Sequence, residues 1–118
     1  MGHHLGEFEQ LILFALVSLG DQGYGVSIRQ EIEARARRAV SVGAVYTALD
    51  RLESRGYVRS WVGDPTPQRG GRRKKYFEIE PEGAATLSRS YKTLSRMADG
   101  LAAKLDSLVP APDGSGDR

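Results

Sequence analysis

Val42, Val45, Leu49 and Leu52 recur at intervals of 3, 4 and 3, and past Gly56 the alternation changes to every second residue. A stripe at the helical period that gives way to the period of a strand restricts the chain to a helix feeding a hairpin. Ser41 stands at the N-cap of that helix, where its hydroxyl can accept from an unpaired backbone N–H. Gly56 supplies the left-handed residue that closes it. Residues 57–62 read as one strand and 76–80 as its antiparallel partner. The connection between them, 63–75, is rich in Pro, Gly and positive charge, and is longer than a hairpin needs.

Two helical patterns precede this segment. Phe8, Leu11, Ile12, Ala15, Leu16 and Leu19 mark a helix over 7–19, ended by the turn residues 20–23. Tyr24, Ile28, Ile32 and Ala36 lie at i+4 steps on a second helix over 24–37. A further helix starts at Pro81. Along it Leu87, Tyr91, Leu94, Ala98, Leu101, Leu105 and Leu108 keep steps of 4 and 3 without interruption. Such a heptad seam predicts one helix of about 40 Å, at 1.5 Å per residue, packed on a partner subunit. The fold class expected is mainly α. It comprises a winged helix-turn-helix (three helices and a two-stranded wing) over 5–80, a dimerisation helix over 81–108, and a disordered tail over 109–118.

Charge then narrows the function. The 118-residue chain carries a net charge of only +2. Yet the stretch from Arg35 to Lys75 holds eleven basic residues against three acids. One sign of charge gathered in one segment points to a polyanion. On the expected third helix, the face opposite the apolar stripe consists of Ala44, Thr47, Ala48, Arg51 and Arg55. Small residues let a backbone approach base edges, and arginines further along reach phosphate or guanine. Gly70 and Gly71 let the wing approach a surface closely, with cations on either side of them. Trp61 reads as a packing residue of the strand rather than a ligand platform.

Other classes fit poorly. The only histidines are His3 and His4, there is no cysteine, and no carboxylate pair lies beside a candidate nucleophile, so neither catalysis, a metal nor a cofactor is expected. Glu78, Glu80 and Glu82 read as solvated. The longest apolar run, Leu11 to Leu19, is too short for a membrane span, and the absence of cysteine suits the reducing cytoplasm. A winged-helix protein-interaction or RNA-binding module is the alternative, since a fold does not settle a function. It has less need of five cations between Arg69 and Lys75.

Three stretches resemble the PadR family of bacterial regulators. The first runs from Gly23–Tyr24–Gly25–Val26 to Ile32, and the second from Ser41 through Tyr46, Leu49, Leu52 and Glu53 to Val58. The third joins Gly70–Gly71–Arg72–Arg73–Lys74–Lys75–Tyr76–Phe77 to Pro81–Glu82–Gly83. The likeness implies a homodimer with one recognition helix per major-groove half-site of double-stranded DNA, usually repressing transcription, and a single C-terminal helix. On the matching positions Ser41, Gly43, Tyr46 and Thr47 are the expected DNA contacts, with Arg69, Gly71, Arg72, Arg73 and Lys74 on the wing; Ala44 and Arg51 of the outward face, and Tyr24, are expected to join them. Tyr46 lies at the edge of the apolar face, so its ring can pack while its hydroxyl reaches a phosphate. Glu53 faces the core side and is read as a structural hydrogen-bond partner. Some relatives bind flat aromatic ligands between C-terminal helices with a tryptophan there. No tryptophan follows Trp61 in this chain, and a small-molecule effector is left open.

Overall fold

The computed structural model describes residues 4–63 and 73–112. In chain order the elements are α1 (Glu7–Leu19), α2 (Gly25–Ala36), α3 (Val42–Ser54), β1 (Val58–Val62), β2 (Lys75–Ile79), α4 (Pro81–Ala98) and α5 (Ala102–Leu108), with a short 3-10 turn, Gly20–Gln22, between α1 and α2. The described residues fall into two units that divide between Ser88 and Arg89. Among the described residues no helix is long and apolar enough to cross a membrane.

The first unit is a winged helix. The starts of α1, α2 and α3 each find a side-chain partner for a backbone N–H. Glu9 reaches back so that the Gly6 N–H donates to its Oε1 at 3.0 Å, and Ser27 Oγ accepts from the Tyr24 N–H at 2.9 Å. Ser41 Oγ accepts from the Ala44 N–H at 3.0 Å, as its position before the stripe predicts. At the far end of α3 the Tyr57 N–H donates to the Leu52 carbonyl (2.9 Å) and the Gly56 N–H to that of Glu53 (3.0 Å). This paired closure turns the chain into β1.

The helical stripes meet in one core, where Ile12, Leu13 and Leu16 of α1, Ile28 of α2, Val45, Leu49 and Leu52 of α3 and Phe77 of β2 are buried to under 2% exposure. The strands pair antiparallel, from Val58 opposite Ile79 to Val62 opposite Lys75. A bridge between Tyr24 and Tyr76, with the Phe77 N–H donating to the Gly23 carbonyl at 2.7 Å, ties the wing to the start of α2. The start of α4 belongs to this core as well, since Gly83, Thr86 and Leu87 are buried. Leu87, expected in the intersubunit seam, lies in the core of its own winged helix.

The second unit departs from the expected single helix. α4 ends at Ala98 and α5 begins at Ala102, and between them Gly100 has φ +77°. A left-handed glycine closes a helix and lets the chain turn. Heptad spacing registers apolar positions and is blind to this reversal of backbone sign. All residues from Tyr91 to Pro112 are exposed, including Leu94, Met97, Leu101, Leu105 and Leu108.

Candidate nucleic-acid interface

α3 presents Ser41, Gly43, Ala44 and Thr47 to solvent. Gly43 and Ala44 add no bulk beyond a methyl, so the first turn of the helix is a narrow ridge. Thr47 Oγ1 donates back to the Gly43 carbonyl at 3.0 Å. With its proton used, Thr47 has a methyl group and an oxygen lone pair left for a ligand. That pairing matches a thymine methyl or a base amino group. Ala48, expected on the same face, is instead fully buried. It lies one residue past Thr47 on the wheel, where the broad contact of α3 with the domain has already closed over the helix.

Tyr46 sits at the edge between core and surface, with its ring 6.2 Å from that of Phe77 and 38% of the residue exposed. Its ring lies over Gly25, where a Cβ would come within 2.6 Å of the Tyr46 hydroxyl oxygen. The first residue of α2 must therefore lack a side chain if Tyr46 is to keep this position. Glu53 accepts from Ser60 Oγ at 2.7 Å, joining α3 to β1.

Arg51, further along α3, and Arg55, at its C-cap, both pair with α1. Arg51 Nε donates to Glu9 Oε2 at 3.1 Å and Arg55 Nη1 to Glu9 Oε1 at 3.3 Å. Glu9 is itself buried at 6% exposure. Burial pushes its carboxyl up, but the Gly6 N–H and the two arginines outweigh it and hold the group below its ordinary value. Nothing in the local pattern singles out this cluster. The usable signal is that Glu9 occupies the position on α1 four residues after Leu5 and three before Ile12, which an apolar residue would fill.

The base of the wing is an aromatic stack flanked by cations. Tyr24 meets Tyr76 edge-on at 5.5 Å, and Tyr76 stacks on Trp61 at 5.7 Å. Lys74 Nζ lies 4.5 Å above the Tyr24 ring, and the Arg59 guanidinium 4.9 Å above Trp61 while it pairs with Glu78. Trp61 therefore packs within the sheet. Tyr24 joins the wing through its ring and its bridge to Tyr76, so the start of α2, β1 and β2 meet at one corner. Arg73 and Lys75 are exposed at the foot of β2. Arg69, Gly71 and Arg72 lie outside the described residues.

Comparison with known proteins agrees with this geometry. The model of the transcriptional regulator PadR-like family matches residues 13–89, well over half of the chain. A PadR family transcription regulator from Clostridium difficile R20291 is similar, with 26% identity and a TM-score of 0.69 over 85% of this chain and 99% of that one. A transcriptional regulator from Clostridium thermocellum shares 25% identity, with a TM-score of 0.65 over 86% and 89% of the two chains. F93 from STIV, a winged-helix DNA-binding protein, has the same fold, with 18% identity and a TM-score of 0.66 over 83% and 98% of the two chains. No curated protein matches the sequence. With the family model spanning the core of α1, the capped α3, the hairpin and the buried start of α4, the chain belongs to the PadR-like family of transcriptional regulators.

Proposed function

We propose that this regulator binds an inverted-repeat operator in duplex DNA as a homodimer and represses transcription by occupying it. The observation that carries the reading is the narrow, exposed first turn of α3, capped by Ser41 and flanked by the basic foot of the wing. In the bound state Gly43, Ala44 and Thr47 lie against base edges. Ser41, Tyr46 and Arg51 take phosphates at the rim of the groove. Arg69, Arg72, Arg73 and Lys74 follow the neighbouring backbone, where contacts position the protein without reading sequence. Double-stranded RNA is a poor substitute, because its major groove is too deep and narrow for α3. The dimer is supported by the exposed apolar residues from Tyr91 to Leu108, which a second copy would cover. Repression follows from a dimer that covers the DNA polymerase must pass.

Selection from a pool of random duplexes tests this reading. The expected product is an inverted repeat whose half-sites are centred one helical turn, about 34 Å, or a multiple of it apart. Ala44→Glu should bind the recovered site at least tenfold more weakly while melting within a few degrees of wild type, because Ala44 is exposed and makes no core contact. Wild-type binding with no sequence preference, or an Ala44→Glu variant with unchanged affinity, would remove α3 from the role of reader.

Gly25→Ala offers a second check. Its new Cβ meets the far end of the Tyr46 ring, which can swing away. Operator affinity should then fall about threefold to tenfold, for loss of one phosphate contact, with little loss of stability. Equal affinity would place the Tyr46 hydroxyl away from DNA.

A further inference from the structure

Glu9 is an acid buried on the core face of α1, and its carboxylate serves three donors: the Gly6 N–H, Arg51 Nε and Arg55 Nη1. The two arginines differ. The side chain of Arg55 is 28% exposed, whereas that of Arg51 is 51% exposed. Among the described residues Arg51 makes no further hydrogen bond or ion pair through its Nη groups. Arg51 stands one helical turn beyond Thr47 on α3. It is thus held by one edge of its guanidinium and open along the other, beside the exposed ridge of α3. With one carboxylate against two guanidiniums, the cluster keeps a net positive charge.

We propose that Glu9 is a positioning residue for DNA binding, which grips Arg51 through Nε so that its two Nη groups face a DNA phosphate as a ready-made fork. This rests on α3 being the helix that enters the groove. A lone arginine on a helix surface samples many rotamers and must lose them when a phosphate binds. Held by Glu9, Arg51 has lost that freedom on folding, so less is lost at the DNA. Arg55 balances the buried charge and leaves Arg51 free to act outward. A tether between α1 and α3 would need no cation half open to solvent. A carboxylate that merely neutralised Arg51 would weaken DNA binding, and its removal would tighten it.

The sign of the effect therefore separates these roles. Full-length wild type, Glu9→Gln, Arg51→Ala and the double variant are titrated against the selected operator and a random duplex over a range of salt, with melting followed in parallel. Glu9→Gln deletes a negative charge, which alone strengthens attraction to DNA. Weaker binding, by about tenfold on the operator, is expected nonetheless. The slope of log affinity against log salt should shrink by roughly 0.9 for each subunit's lost phosphate contact, as it does for Arg51→Ala. In the Arg51→Ala background Glu9→Gln should add less than twofold. Unchanged or tighter binding by a folded Glu9→Gln variant overturns the proposal, and so does a tenfold effect that persists without Arg51. Should Glu9→Gln fail to fold, Arg51→Lys decides, because it keeps the charge but has neither an Nε–H for Glu9 to grip nor an Nη fork for the phosphate. Wild-type affinity in Arg51→Lys overturns the proposal. Absence of duplex binding by the wild type would overturn the function itself, whereas binding with an unaltered Glu9→Gln variant overturns only this inference.

Discussion

Gly83→Ala is expected to lower the stability of the winged helix by about 2 kcal/mol and its melting temperature by roughly 10 °C. The first turn of α4 lies against the backbone of Tyr57, at the point where α3 passes into β1. A Cβ on Gly83 would fall 2.2 Å from the Tyr57 carbonyl oxygen and 3.0 Å from its carbonyl carbon. A side chain could rotate away from such an intrusion, but this obstacle is main chain. That same carbonyl accepts from the Glu80 N–H at 2.8 Å, so moving α4 outward also breaks the bond that starts the helix. Overpacking of about 1–3 kcal/mol and a lost hydrogen bond of about 1 kcal/mol outweigh the helix preference of alanine over glycine, about 1 kcal/mol. Gly43→Ala is the matched contrast. There a Cβ finds only Ser41 Oγ, at 4.0 Å, so the same change inside α3 should be neutral or stabilising by up to about 1 kcal/mol. Calorimetry on both variants gives the comparison. A Gly83→Ala protein that melts within 3 °C of wild type would show that α4 has room to move away from Tyr57.

Much of this arrangement is legible in the residues because it is decided locally. Ser41 caps α3 through a neighbour three residues away, Gly56 closes it within a turn, and the change from helical to alternating spacing marks where the wing begins. The exposed candidates Gly43, Ala44 and Thr47 share a face for the same reason, since the helical step of about 100° places them within one arc. What the wheel does not register is the width of the contact that buries a helix. Ala48 stands about 100° from Thr47 and about 40° from Leu52 of the core stripe, and it is fully buried while Thr47 is exposed. Long-range chemistry is less visible still. Arg51 and Arg55 look like solvent-facing cations until α1 folds beside them and brings Glu9 across a separation of 42 and 46 residues. The break at Gly100 has another cause. Seven apolar residues keep heptad register through it, so spacing favours one helix, whereas the backbone follows the single residue that adopts φ +77° without a Cβ penalty.

Leu94→Glu combined with Leu101→Glu should turn the proposed dimer into a folded monomer, and a comparison of three leucines of the expected seam, Leu87, Leu94 and Leu101, makes the test selective. Leu87 is buried in its own domain at 4% exposure, so Leu87→Glu places a charge in the core and should unfold the winged helix. Leu94 and Leu101 are 59% and 50% exposed in the protomer, where glutamate disturbs nothing. In the proposed dimer they would be covered. Together with Tyr91, Met97, Leu105 and Leu108 they form an exposed apolar series of the kind that marks an interaction surface. Full burial of each leucine is worth about 1.5–3 kcal/mol, and a symmetric dimer loses both positions on both chains. The dimer dissociation constant should therefore rise by at least about a thousandfold, before any penalty for opposing glutamates. Operator affinity should fall by about a hundredfold or more, because the second half-site contact is no longer intramolecular. Sedimentation equilibrium measures the first effect and titration of the selected operator against a single half-site the second. The expected variant is monomeric, melts as wild-type monomer does and binds operator and half-site alike. A double variant that still sediments as a dimer would put the subunit contact on another face, and Phe14 and Val17 of α1, both exposed, would be the next residues to change.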